Sequence, residues 1–379
     1  DNEPDKDVKE QLKWIYRLEI NVSYPFLLEV YNDFTDQVIN KETFLEVLET
    51  LQSFVWRRFI VGLPTNALNK IFMRIYEDID RSQYLTSFQY SLLKRKGKQR
   101  FPNDQEVINI LKEKDMYNIQ NKNRTYFLER LENYQNPEKV QIENNPAITI
   151  EHIFPQNPDS KWKIILGEAE YELMKESYLN TIANLTLSGN NGPLSNKSFV
   201  EKRDMNIEGK EQGYRYSRLW LNRSLASSEQ WNSDELEKRF TQIAERFKKI
   251  WSYPTIQVER EDGENNNETN IFEAADPTYK RLEYVIFFDQ KLPITRVSEL
   301  YVHVMRTLFE LQPDTFFKTD LGEKVSLTTD KEHLRQPAQV DDLYYIETHY
   351  NNVDKFERMK LALSLFDVED DLLIKYAED

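Results

Sequence analysis

The chain has 379 residues, is 39% hydrophobic and 30% charged, and carries a formal net charge of −15, proportions that fit a globular protein of two or three domains. It contains no Cys and only four His, which excludes disulfides, thiolate metal sites and cysteine nucleophiles and argues against a zinc cage. No run of 18 apolar residues occurs, so no membrane span is expected, and the lack of Cys suits a reducing cytoplasm.

The acidity is uneven along the chain. Lys plus Arg against Asp plus Glu is 21 against 23 over residues 1–145, 15 against 15 over 146–253, and 14 against 27 over 254–379. The first two thirds are near neutral and leave room for a local basic face. The opening DNEPDKDVKE is polar and lacks a Met, so a further N-terminal domain is expected before it.

Residues 1–145 read as a helical domain. After Asn40, a candidate N-cap, Phe44, Val47, Leu48, Leu51 and Val55 recur at helical spacing. Val107, Ile110 and Leu111 do the same after Pro102 and Asn103. The run 94-KRKGKQR-100 reads either as a solvated loop or as a phosphate contact. Residues 136–148 are polar with two prolines, and a boundary is placed there.

Residues 146–257 read as a second domain. Thr149–Phe154 is a short strand ended by Pro155, Trp162–Tyr178 a charged helical stretch, and Ile182–Leu187 a second strand. SGNNGPLSN follows as a turn-rich loop, and Ser195 or Asn196 caps the next helix. A last helix starts at Ser233 as its N-cap, with Leu236, Phe240, Ile243, Phe247 and Ile250 as its apolar stripe. Residues 258–270 read as a linker. Residues 271–379 form an acidic α+β domain, with a hairpin of Leu282–Phe288 and Leu292–Thr295, a helix from about Ser298, a strand at Leu343–Glu347 and a final helix through Phe356 and Phe366.

In 149-TIEHIFPQNP-158, His152 follows Glu151 at a strand end. A neutral imidazole accepts a proton from water near physiological pH, while carboxylate and amide oxygens hold a hard divalent ion. With thiolates absent, any metal is expected to be Mg²⁺ or Mn²⁺. The order strand–loop–strand–loop–helix brings Asn184, Asn190, Asn191 and Asn196 into play behind Glu151 and His152, the order a ββα metal-dependent nuclease site needs. Adjacent strand residues point to opposite faces, so Glu151 and His152 share one site only at a twisted strand end or across its edge. By residue type alone, His152 is equally an ordinary part-buried histidine, and the asparagines are equally turn formers. His303, His333 and His349, without motif context, read as structural or solvated.

EHIFPQ, NLTL and NNGPLSNKSF followed by Glu201 and Lys202 resemble the HNH nuclease core of the GmrSD-type restriction endonuclease C-terminal domain family. Upstream, 24-YPFLLEVY-31 and 54-FVWRRFIVGLPTNALNKIF-72 are similar to the helical segment preceding that core. The resemblance implies a mainly α chain with small α+β parts: a helical domain, an HNH (ββα-metal) nuclease domain and a small C-terminal α+β domain. It implies His152 as general base, Glu151 as metal ligand, Asn184 as the orienting amide of the catalytic motif, and Asn191, with Asn190 second, as a further ligand. It also implies DNA as substrate and an N-terminal ParB-like nucleotide-hydrolysing domain as partner. Two features depart from the pattern: Glu151 stands where Asp is frequent, and the gap from His152 to Asn184 is long.

Lys197, Lys202, Arg203, Arg215 and Arg218, interleaved with Tyr214, Tyr216 and Trp220, make residues 197–223 the candidate DNA-binding stretch. Arg57 and Arg58 instead read as ties between domains. The expected activity is a metal-dependent HNH-type DNA endonuclease of a modification-dependent restriction, phage-defence system. The alternatives are a catalytically degenerate DNA- or protein-binding module of such a system, and an acidic domain that mimics DNA.

Overall fold

A computed structural model describes residues 3–256, 268–288 and 290–377. The chain is mainly helical with small sheets. It divides into two compact units, one of residues 1–63, 79–92 and 101–256, the other of 64–78, 93–100 and 257–379.

The first unit begins with α1 (Lys6–Arg17), α2 (Tyr24–Thr35) and α3 (Lys41–Val61). Asn40 caps α3 by accepting the Thr43 amide, and Gly62 ends it at φ +83°, a left-handed conformation open to glycine. The chain then contributes α4 (Asn66–Arg74) to the second unit and returns through α5 (Tyr84–Leu93), α6 (Asp104–Glu113) and α7 (Asn121–Asn133). Asn103 caps α6. Strand β1 (Thr149–His152) follows, then α8 (Ser160–Leu166), α9 (Glu168–Leu173), β2 (Leu185–Ser188), α10 (Asn191–Leu194) and α11 (Phe199–Arg203). A two-residue hairpin, β3 (Asn206–Ile207) with β4 (Lys210–Glu211), leads to α12 (Trp220–Ser227) and α13 (Ser233–Ile250). The cap of α13 is Asn232 rather than Ser233: its side chain accepts from the Glu235 amide.

Helices α1, α3, α6 and α7 and the strand region share one apolar core. It joins Trp14, Trp56, Tyr126 and Phe127 to Ile153, Leu185, Phe199 and Trp251. Arg57, wholly buried, pins it together: Nε donates to the Trp251 carbonyl at 2.7 Å, one terminal nitrogen to the Pro102 carbonyl at 3.2 Å, and the other to Asp104 at 2.5 Å. A buried guanidinium is tolerated because each of its sides finds an acceptor.

In the second unit β5 (Thr269–Asn270), β6 (Leu282–Phe287), β7 (Gln290–Leu292) and the final strand β10 (Leu372–Tyr376) form an antiparallel sheet in the order β5-β10-β6-β7. Thr269–Asn270 is thus a strand rather than linker, and residues 258–267 of the expected linker lie outside the described residues. Helices α14 (Val297–Leu311), α15 (Pro313–Lys318) and α16 (Leu321–Lys324), the pair β8 (Pro337–Gln339) with β9 (Tyr345–Glu347), and α17 (Asn352–Leu365) complete it. In the run 94–100, Lys94 pairs with Asp78 at 3.2 Å, Lys98 with Glu369 at 3.2 Å, and the Gln99 amide reaches Asp371 at 2.5 Å. Carboxylates of the same unit therefore occupy Lys94 and Lys98 of the run read as a phosphate contact.

Candidate functional site

Strands β1 and β2 pair antiparallel, with His152 opposite Leu185 and Glu151 opposite Thr186. Alternation puts Thr149 and Glu151 on one face and Ile150 and His152 on the other. The end of β1 is fixed by Asn184, 0% exposed. Its Oδ1 accepts from the Phe154 amide at 2.8 Å and from Trp231 Nε1 at 3.2 Å. Its Nδ2 donates to the Phe154 carbonyl at 2.9 Å and the Leu179 carbonyl at 2.8 Å. All its hydrogen-bonding atoms are engaged by protein, so Asn184 sets the backbone just after His152 and is a positioning residue with no atom left for substrate.

On the first face lies a buried ion pair. Lys202 Nζ donates to Glu151 Oε1 at 2.6 Å and to the His152 carbonyl at 2.8 Å. Lys202 is 0% and Glu151 7% exposed. Burial pushes the Glu151 carboxyl up and the Lys202 ammonium down, while the pair's mutual attraction opposes both shifts.

The same face carries Asn191. Its Nδ2 donates to Thr149 Oγ1 at 2.6 Å and to the Ile150 carbonyl at 2.8 Å. A carbonyl only accepts, so the amide's orientation is settled and Oδ1 faces away from both. That oxygen is buried and, among the described residues, has no hydrogen-bond partner. Asn190 is spent differently, its amide donating to the Gln212 carbonyl at 3.3 Å. Asn196 is exposed, and its carbonyl accepts from the Asp159 amide at 3.2 Å.

His152, 7% exposed, has its own neighbours. Nε2 lies 3.2 Å from Asn180 Oδ1, whose Nδ2 donates to Asp115 Oδ2 at 3.0 Å. Tyr117 meets the imidazole edge-on with ring centres 4.3 Å apart, and the Arg124 guanidinium lies 4.6 Å over the Tyr117 ring. Burial holds the imidazole below its ordinary pKa; Asn180 and Asp115 oppose this, and the charges of Lys202 and Arg124 add to it. The ring is therefore neutral at physiological pH. Asp115, Tyr117 and Asn180 carry no signal in the sequence, since none stands in a motif and their meeting depends on segments 28 to 65 residues apart.

The expected DNA-binding cations separate into two groups. Lys202 is inside the fold, and Arg203, 5% exposed, is tied to Asp204 at 2.7 Å, Glu229 at 3.0 Å and the Ser228 carbonyl at 2.6 Å. Neither presents its charge to a phosphate. Arg215 and Arg218 are exposed and pair at the surface with Asp204 at 3.1 Å and Glu138 at 2.7 Å. Lys197 Nζ donates to the Pro193 carbonyl at 2.6 Å.

Among the described residues no group of three or more His, Cys, Asp or Glu could hold a metal, and no helix is long and apolar enough to cross a membrane. A cation here needs an amide oxygen in its donor set. The unpartnered Asn191 Oδ1, on the strand face of Glu151, suits a hard divalent ion. No curated protein matches the chain. Residues 101–246 match the family described as GmrSD restriction endonucleases, C-terminal domain; the upstream motifs at 24–31 and 54–72 lie outside that match. The description points to a nuclease of the restriction-endonuclease type, and over residues 101–246, the part of the chain that builds the site, the protein is similar to the GmrSD restriction endonuclease C-terminal domain family.

Proposed function

We propose that the chain is a metal-dependent DNA endonuclease with an HNH-type (ββα-metal) site, acting in a modification-dependent restriction system in the cytoplasm. The observation that carries this reading is the Asn191 amide oxygen, left without a partner on the strand face that bears Glu151, while the following residue, His152, lies on the other face at the strand's end with its pKa lowered by burial. His152 acts as the base: its imidazole accepts a proton from the water that attacks the phosphodiester. Glu151 and Asn191 would hold Mg²⁺ or Mn²⁺, which when bound neutralises charge on the phosphate and the leaving oxygen. Asn184 holds the backbone after His152 so that the ring stays in place. Lys202, lying against Glu151 in a dry site, opposes the upward push that burial gives the carboxyl. Arg215, Arg218 and Lys197 are the residues of the basic stretch that remain for DNA phosphates. Division into helical, nuclease and acidic parts near residues 145 and 257–270, the first two built on one apolar core, belongs to the same proposal, as does a ParB-like partner domain.

Purified chain should nick supercoiled plasmid in Mn²⁺ or Mg²⁺, chelator should stop it, and His152→Ala should abolish it. A His152→Ala protein that nicks as fast as the parent overturns the assignment. The second reading, a degenerate binding module, is favoured by the Lys202 ammonium sitting on the very carboxylate a metal needs. Absence of Mn²⁺ binding together with absence of cleavage on plain and modified DNA would establish it.

A further inference from the structure

We propose that Asp115 and Asn180 form a hydrogen-bonded relay that sets the tautomer and ring orientation of His152, placing the proton on Nε2 and leaving the Nδ1 lone pair to do the work of a base. The inference rests on His152 being that base. Neither residue touches a reacting atom, so both are positioning residues.

Asp115 is spent entirely as an acceptor. Its Oδ1 takes the Tyr117 amide at 3.0 Å and the Asn118 amide at 2.8 Å, and its Oδ2 takes Asn118 Nδ2 at 2.7 Å and Asn180 Nδ2 at 3.0 Å. Burial works against its charge, but the hydrogen bonds from Asn118, Asn180 and Tyr117 outweigh burial and hold the carboxyl below its ordinary pKa. An ionised carboxylate has no proton to donate, so the group of Asn180 that faces it must be the NH₂. The Asn180 carbonyl oxygen then faces His152 at 3.2 Å, and a carbonyl cannot donate either. The proton in that contact must sit on Nε2. A neutral imidazole carries a single N–H, so Nδ1 holds the free lone pair.

Two further contacts keep the relay in register. The Met116 amide donates to the Asn180 carbonyl at 2.9 Å, joining the two segments through their backbones. The edge of Tyr117 limits rotation of the imidazole.

The test uses the full chain, labelled with ¹⁵N, free of metal and at one fixed pH above 6.5. Long-range ¹H–¹⁵N correlations report the tautomer of each histidine, and His152→Ala identifies the His152 signals. The parent should show a single Nε2–H form. Asn180→Ala should give a mixture of tautomers. Its kcat for plasmid nicking should fall about 10- to 100-fold with KM unchanged. Asp115→Asn, which lets the Asn180 amide turn over, should also mix the tautomers, while Asn180→Asp, which keeps an acceptor toward Nε2, should restore the single form. Thermal melting of each variant distinguishes loss of the relay from loss of the fold. If Asn180→Ala does not fold, the parent spectrum and Asp115→Asn still decide. A parent spectrum with the proton on Nδ1, or an Asn180→Ala protein with one Nε2–H form and parental kcat, overturns the relay. Full activity in His152→Ala sinks the underlying nuclease reading instead, whatever the tautomer result.

Discussion

Lys202→Met removes one side of a buried ion pair and nothing else of similar volume. In the parent, Nζ gives one hydrogen bond to Glu151 at 2.6 Å and one to the His152 carbonyl at 2.8 Å, and neither charged side chain is more than 8% exposed. The variant leaves a carboxylate in a dry site without its counter-charge, and a carbonyl without its donor. Breaking such a pair costs about 3 to 5 kcal/mol, far more than the net worth of the pair itself. Denaturant unfolding followed by tryptophan fluorescence reads this directly. Adding Glu151→Gln removes the stranded charge, so the double variant should recover at least about half of the loss. The loss should also depend on pH in a definite sense. Glu151 has a folded pKa raised above 4.5, and losing Lys202 raises it further. A raised carboxyl stabilises the fold fully only below its unfolded value and loses that contribution as pH rises through the folded value. The deficit of Lys202→Met should therefore be largest at neutral pH and shrink as pH falls toward 4.5. A single variant within about 1 kcal/mol of the parent, or a double variant no more stable than the single, would refute the view of Lys202 as a buried counter-ion.

Three other outcomes are expected. Asn184→Ala strands the Phe154 amide and Trp231 Nε1 and should cost about 3 kcal/mol in denaturant unfolding. Nicking should lose activity on the acid side only below 6.5, because burial depresses the His152 pKa from that value; the same depressed group contributes stability present above 6.5 and lost as pH falls through its folded pKa, measurable as a pH–rate profile beside a pH–melting curve. Asn191→Ala should weaken Mn²⁺ binding by about 10-fold or more in calorimetry, whereas Asn196→Ala, whose side chain is exposed, should leave it unchanged.

Much of the fold was legible locally. Asn40 caps the helix its position foretold, and Asn103 does the same for the next periodic run, since a short side-chain oxygen before such a run reaches the third amide of the helix. Ser233 was one residue late because Asn232 is an equally good acceptor and lies at the reach that Glu235 requires. The β1–β2 pairing was legible from two short apolar runs, although the second begins at Leu185 after a turn of 3-10 helix over Ile182–Asn184. Strand β10 was not legible: Leu372–Tyr376 is short and pairs with Leu282–Phe287, a partner set by tertiary folding and not by local pattern. At the site, Glu151 and His152 stood out by type and spacing. Lys202 did not, because a lysine reads as a surface cation until a buried carboxylate is found beside it. Asn180 and Asp115 were hidden for a related reason, since their roles come only from what they touch.

The core shared by Trp56, Tyr126 and Trp251 with Leu185 and Phe199, fastened by Arg57, has a consequence for how this region is inherited. A gene fragment encoding only residues 146–257 would leave half of that tryptophan cluster facing water and would strip the Trp251 carbonyl of its guanidinium. Recombination that moves the strand pair to a new host must carry the leading helices along, so the smallest heritable piece is the whole interlocked unit rather than the motif-bearing third.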